Sequence, residues 1–365
     1  MTDYLIVGGG LIGLLTARKL METGASVTLI ERGQLGQEAS WAGGGILSPL
    51  YPWKYPAAVN GLANWSQKHY QSLAAELKTA TGIDSEWTES GLLVVDTEQV
   101  SPALAWAAST SATVLPVDAK EIRQIEPALG AEYASGVWMP HVAQIRNPYL
   151  IKALKKDLLA RGLRLAENTE VTHLLMKKGR IQGVGTEYNE VIADNVIIAC
   201  GAWSATLLKE LGQEVSVMPV RGQMLLFRAQ PGQLQRIVLS DGHYLIPRRD
   251  GLVLVGSTME EVGFDKTVTE EARDGLAEIA CNLAPVLKTA RMEKHWAGLR
   301  PGSPTGVPYI DAHPKVEGLY INAGHFRNGV AMGLASAQLM ADIVLGRPAS
   351  VDPEPYSLMG RSSAA

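Results

Sequence analysis

The sequence predicts an α/β chain in two domains: a Rossmann-like nucleotide-binding domain assembled from separated segments, and an α+β domain built on a large antiparallel sheet. Three observations carry this. A glycine-rich strand-turn-helix opens the chain at LIVGGGLIGLLTAR, two later apolar strands run into glycine turns near Gly201 and Gly324, and period-2 alternation marks RGQMLLFRA, HYLIPR and GLVLVGSTM between residues 219 and 306.

The first element sets the chemistry. LIV is a β-rich run, Gly8-x-Gly10-x-x-Gly13 follows, and LLTARKLMETG continues as a helix with Leu11, Leu14, Leu15 and Leu20 on its apolar face. Gly8 makes the turn, Gly10 lets backbone approach a pyrophosphate, and Gly13 lets helix and strand pack closely. The phosphates then sit on the helix N-terminus. Glu31 closes the next strand, ASVTLIE, where its carboxylate can accept from both hydroxyls of an adenosine ribose and disfavours a 2′-phosphate. This fingerprint does not separate a nicotinamide from a flavin dinucleotide.

The residues after Glu31 do. RGQLGQEASWAGGGILSPLYPW places a small-residue loop where a simple nicotinamide enzyme would begin another helix. Trp41 before it and Ile46-Leu47 after it bring apolar area that favours a packed loop over a linker. Residues 191–204, VIADNVIIACGAWS, form an apolar strand and glycine turn. Residues 318–346 read as a strand (LYIN), a glycine turn and a helix from near Gly329 to Gly346, with small residues Ala331, Gly333, Ala335 and Ser336 permitting close approach.

The loop, with Ala39-Ser40 and Ala42-Gly43, resembles the segment that runs along the flavin in the D-amino-acid oxidase superfamily. HYLIPRRDG, WAGLRPG and AGHFRNG are similar to segments of the flavin-dependent glycine oxidase family, and the resemblance spans nearly the whole chain. It implies a discontinuous FAD-binding domain over 1–85, 143–218 and 307–365, and a substrate-binding domain over 86–142 and 219–306. It implies FAD held by Gly8, Gly10, Gly13, Glu31, Arg32, Ser40, Ala42, Gly43 and Gly201, and by His325, Phe326, Asn328, Gly329 and Val330 at the start of the last helix. There the positive helix end would face the flavin edge that gains charge on reduction. Neither Cys200 nor Cys281 lies in a segment matching covalent attachment in sarcosine oxidase relatives, so noncovalent FAD is expected.

The same resemblance assigns the catalytic site. Arg300 grips the substrate carboxylate, which a planar guanidinium binds bidentately; Tyr244 adds a hydroxyl, Arg327 lies over the site, and Met259 lines an apolar wall. The loop near residues 46–55 is expected to set pocket volume with Met259. The implied activity is oxidative deamination of glycine, sarcosine or small D-amino acids by hydride transfer to flavin N5. The products are a 2-oxo acid (glyoxylate from glycine), ammonia or a primary amine, and hydrogen peroxide from dioxygen, with a role in thiamine thiazole biosynthesis. No side-chain general base is required if the amine arrives neutral. Two alternatives stay open on sequence: a D-amino-acid dehydrogenase passing electrons to a quinone, and a flavin-bearing binding protein without turnover.

Composition narrows the partners. Of 365 residues 46% are hydrophobic, enough for one large core or two joined ones. Lys and Arg total 33 against 37 Asp and Glu, a net charge of -4 without a basic block, which argues against nucleic acid and anionic membrane. Two distant cysteines rule out CxxC spacing and suggest a reducing compartment. Scattered histidines without HxxxH or HExxH spacing argue against a metal. The glycine-broken N-terminus reads as neither signal peptide nor spanning helix, so a cytoplasmic location, with no integral membrane segment, is expected. A homo-oligomer, up to a tetramer, is expected as well. The closing SLMGRSSAA is expected to be disordered.

Overall fold

The computed structural model describes residues 2–110, 112–130, 132–211 and 215–359. Its first sheet has six strands in the order 309–312, 319–323, 196–198, 4–7, 27–30, 164–166, all parallel except the antiparallel edge strand 309–312. The inner strands, 4–7, 27–30, 196–198 and 319–323, are short and mostly apolar on both faces, as burial between two layers requires. Ile6, Leu29 and Ile197 face a layer of helices, whereas Leu5, Val7, Ile30 and Ile198 face the opposite side.

The helical layer comprises Leu11–Met21, Ala57–Thr81, Asn147–Ala160 and Gly329–Val344. Leu14, Leu15, Leu62, Tyr70, Leu154 and Met332 fill it and are fully buried. Gly13 is required by close approach, because a Cβ there would collide with the Gly8 carbonyl. Gly8 holds φ at 109°, a region closed to residues with a Cβ. The opposite face is covered by a three-stranded sheet, 171–177, 180–186 and 190–192, which periodicity did not single out.

The second large sheet has eight strands in the order 291–302, 218–228, 252–256, 243–247, 237–240, 92–94, 135–139, 115–118. Every neighbouring pair is antiparallel except 237–240 with 92–94, which run parallel. That exception marks the seam where two segments distant in sequence, 86–142 and 219–306, join one sheet. Helix Glu270–Leu283 packs on one face through Leu276, Ala280 and Leu283, and Thr269 caps it by accepting from the Ala272 N–H at 3.3 Å.

The expected disorder of the tail is corrected for residues 357–359; residues 360–365 lie outside the described residues. Ser357 Oγ donates to Asp311 Oδ2 at 2.8 Å, the Leu358 N–H donates to the same oxygen at 2.9 Å, and Leu358 is buried. A carboxylate on the edge strand thus docks residues 357 and 358. Among the described residues no helix is long and apolar enough to cross a membrane, and no three potential metal ligands cluster.

Candidate active site

One cavity of about 540 Å³ runs from the first glycine turn to the second large sheet. Gly8, Gly10, Glu31, Arg32, Ser40, Ala42, Gly43, Gly201, Tyr244, Arg300, His325, Phe326, Arg327, Asn328, Gly329 and Val330 all lie on its wall. Segments from the beginning, middle and end of the chain therefore meet around one space. Gly13 stands behind the wall, where it brings the helix onto the turn.

At one end, Glu31 organises the turn itself. Its two carboxylate oxygens accept from the Gly9 N–H at 2.7 Å and the Gly33 N–H at 2.9 Å, leaving a lone pair on each for a further donor. Ser40 Oγ accepts from the Leu11 N–H at 2.8 Å, so its own hydrogen is left for an acceptor beside the helix N-terminus. Arg32 stacks over Trp203 at 3.5 Å and pairs with Glu38 at 3.1 Å, closing the rim. Cys200 donates to the Val7 carbonyl at 3.2 Å, and burial pushes its thiol up to about 12, so it is a packed thiol and not a nucleophile.

The glycine loop is pinned from behind by residues that sequence reasoning missed. Asn147 Nδ2 donates to the Ser40 and Gly43 carbonyls, each at 3.0 Å; Trp296 Nε1 donates to the Ala42 carbonyl at 3.1 Å; Arg248 donates to the Gly44 carbonyl at 2.6 Å. These partners lie 104 to 254 residues away, so no local spacing could have revealed them.

At the other end, strand 291–302 carries Arg300 and strand 243–247 carries Tyr244. Arg300 Nη2 donates to Ser257 Oγ at 2.6 Å, and Nη1 donates to the carbonyls of Thr258 at 3.1 Å and Arg221 at 3.4 Å. Its guanidinium sits on Gly222, where any Cβ would collide with it. Burial holds the Arg300 pKa below its ordinary value; Arg327 lowers it further by repulsion, while Tyr244 opposes the shift. Arg327 Nη2 donates to the Gly242 carbonyl at 3.5 Å. Among the described residues, neither Arg300 nor Arg327 has an acid within ion-pair distance. Met224, whose sulfur faces the Tyr244 hydroxyl at 3.8 Å, lines the same wall with Ile46 and Leu50.

Met259 does not belong to this wall. It is 60% exposed, and the expectation that it lines the pocket is corrected. Thr258 Oγ1 accepts from the Gln223 N–H at 2.9 Å, and Glu260 pairs with Arg221, so both point toward strand 218–228. Alternation then turns Met259, between them, to solvent. The loop at 46–55 does reach the cavity, through Ile46, Ser48 and Leu50.

Gly329–Val344 begins at the cavity with Asn328 as its N-cap. Asn328 is buried, and its Nδ2 has no hydrogen-bond partner among the described residues. Phe326 holds φ at 44°, a strained conformation for a bulky residue, at a cost of about 1–3 kcal/mol. His325 is buried and pushed down to about 3 by desolvation. Ser336 Oγ donates its one hydrogen to Asn322 Oδ1 at 2.7 Å, so it accepts from His325 Nε2–H at 2.6 Å, which fixes the neutral ring's tautomer.

These residues fit a flavin dinucleotide. The volume lies in the range of small-molecule and cofactor sites. Gly10 and Ser40 form a cradle in which a Cβ on Gly10 would reach Ser40 Oγ at 3.2 Å, and the unpartnered Asn328 amide supplies a buried donor on the far wall.

Comparisons with known proteins agree with the fold and cavity. A family described as FAD dependent oxidoreductase matches residues 3–343. The chain is 48% identical to a glycine oxidase of Pseudomonas aeruginosa over 358 residues, covering 98% of each chain. It is 46% identical to a glycine oxidase of Pseudomonas putida over 360 residues, covering 98% of this chain and 99% of that one. The crystal structure of glycine oxidase from Geobacillus kaustophilus superposes with a TM-score of 0.95 at 30% identity, covering 99% of both chains. The chain is an FAD-dependent amine oxidoreductase of oxidase type and belongs to the glycine oxidase family.

Proposed function

We propose that the chain oxidatively deaminates glycine and other small amines, including sarcosine and small D-amino acids, with noncovalently held FAD and dioxygen as acceptor. The observation that carries this reading is a pair of guanidiniums with no acid in ion-pair distance among the described residues. Arg300 and Arg327 line one cavity, the groups they donate to are backbone carbonyls and the Ser257 hydroxyl, and they repel each other. A buried cation with only neutral partners is costly, and a carboxylate placed against it relieves that cost.

In this reading the substrate carboxylate takes two N–H groups of Arg300 and the Tyr244 hydroxyl, while Arg327 closes over it. Ile46, Leu50 and Met224 bound the remaining space and favour a short side chain. When bound, FAD would supply the two-electron acceptor that turns the amine into an imine, which water hydrolyses to the oxo acid and ammonia, with dioxygen as the final acceptor and hydrogen peroxide as its product. The protein's share is to orient the amine-bearing carbon and to exclude water. No carboxylate or histidine base is required: His325 is locked neutral with its Nε2–H committed to Ser336.

FAD is assigned to Gly8, Gly10, Gly13, Glu31, Arg32, Ser40, Ala42, Gly43, Gly201, His325, Phe326, Asn328, Gly329 and Val330. The FAD-binding domain is assigned to 1–85, 143–218 and 307–365, and the substrate domain to 86–142 and 219–306. The two large sheets draw their strands from these two sets, apart from Met218 at the boundary. Supply of an oxidised glycine unit to thiamine thiazole formation is proposed on the family resemblance alone. The test of the reaction is oxygen uptake by the yellow protein with glycine, sarcosine, D-alanine and L-alanine, with peroxide assayed in the same vessel. Uptake with glycine and matching peroxide supports the reading. Flavin bleaching without oxygen uptake would replace it with a dehydrogenase.

A further inference from the structure

Outside the cavity wall, Asp96 is the centre of a buried polar cluster that no local function explains. It follows strand 92–94, is 8% exposed, and gathers groups from two other segments. Its Oδ2 accepts from the Tyr51 hydroxyl at 2.7 Å, its Oδ1 accepts from Ser240 Oγ at 2.8 Å, and the Asp241 N–H donates to both oxygens at 3.0 and 3.1 Å. The Tyr51 oxygen in turn accepts from the Gly242 N–H at 2.9 Å. No cation pairs with Asp96 among the described residues. Among the described residues these donors hold its carboxyl group.

The segments it joins both end in the cavity. Ser240–Gly242 is the turn of the hairpin whose second strand carries Tyr244, and Asp241 and Gly242 hold φ at 45° and 75° to make it. The Gly242 carbonyl is the acceptor for Arg327. Tyr51 follows Ser48 and Leu50, which line the cavity. A tyrosine hydroxyl bridging a carboxylate and a turn N–H therefore fixes two parts of the substrate end relative to each other.

We propose that Asp96 and Tyr51 are positioning residues for substrate, setting the placement of Tyr244 and Arg327 against the Ser48–Leu50 wall. The inference rests on the reading that Arg300, Tyr244 and Arg327 receive the substrate carboxylate. It explains why a carboxylate is buried here without a cation: five hydrogen bonds, Tyr51 included, hold one turn in the shape the site needs.

The test uses Tyr51→Phe and Ser240→Ala holoenzymes, each losing one hydroxyl from the cluster. It reads KM and kcat for glycine, the acetate dependence of the flavin absorbance, FAD affinity and Tm. Expected is a rise of about 5- to 30-fold in KM and in the acetate dissociation constant, the factor carried by one unsatisfied buried hydrogen bond. kcat and FAD affinity should stay as in the wild type. Unchanged KM and acetate affinity would overturn the proposal, and so would a loss of substrate affinity that merely tracks a loss of FAD affinity or Tm. A wild type insensitive to both glycine and acetate would instead overturn the functional reading beneath it.

Discussion

Gly222→Ala tests the substrate end without replacing a charged residue. The added Cβ would fall on Cζ and both terminal nitrogens of Arg300, so the guanidinium must leave its seat. Its two shortest anchors are lost with it, Ser257 Oγ at 2.6 Å and the Thr258 carbonyl at 3.1 Å. Hydrogen bonds to a charged group contribute about 1.5–3 kcal/mol each, which sets a ceiling of about 6 kcal/mol. With one replacement partner found, the loss in kcat/KM for glycine is about 2–3 kcal/mol, or about 30- to 160-fold. The assay is steady-state oxygen uptake at saturating FAD, with FAD affinity measured separately. Combined with Arg300→Met, the effects should be strongly non-additive, because both act through one guanidinium. Additive losses, or an unchanged kcat/KM in Gly222→Ala with FAD bound, would refute the placement of Arg300 as the substrate's anchor.

Three further outcomes follow from the same geometry. Asn147→Ala removes two donors that hold the glycine loop and should weaken FAD binding by about 5- to 30-fold, read by recovery of flavin fluorescence on dilution. His325 has a folded-state pKa of about 3 against an ordinary 6.5, so the unfolded chain binds the extra proton between those values. Its contribution to stability is therefore complete above pH 6.5 and is lost as pH falls toward 3, with a slope approaching about 1.4 kcal/mol per pH unit. Urea unfolding should show a shallower pH dependence in His325→Gln, which keeps a donor for Ser336; an identical slope would remove His325 from the account. Met259→Ala should leave kcat/KM for glycine unchanged, since its side chain stands in solvent, and a marked change would reinstate it as a pocket residue.

Much of this was legible in the sequence, and the reason is locality. Gly8, Gly10, Gly13 and Glu31 were readable because one strand-turn-helix-strand fixes their spacing, and the last helix was readable from Gly329 because its glycine turn and apolar run are contiguous. Arg300, Tyr244 and Arg327 came from resemblance, and the structure gathers all three on one wall. What escaped was long-range. Asn147, Trp296 and Arg248 act on carbonyls of a loop more than a hundred residues earlier, and Gly222 matters only because Arg300 folds onto it from the neighbouring strand. Met259 was assigned to the wall by resemblance as well, and nothing local corrects it, because period 2 gives two faces and not which one is inward. Thr258 and Glu260 settle that phase through Gln223 and Arg221, and neither contact is visible locally.

The central claim is that Arg300 recognises a carboxylate, and a comparison of glycine with methylamine, which lacks only that group, tests it most directly. The ratio of their kcat/KM values would be measured in the wild type and in Arg300→Met, both loaded with FAD. Wild type should favour glycine strongly, and the variant should lose about 2–5 kcal/mol of that preference with little change toward methylamine. An equal preference in both proteins would contradict the account, because the carboxylate would then be held elsewhere.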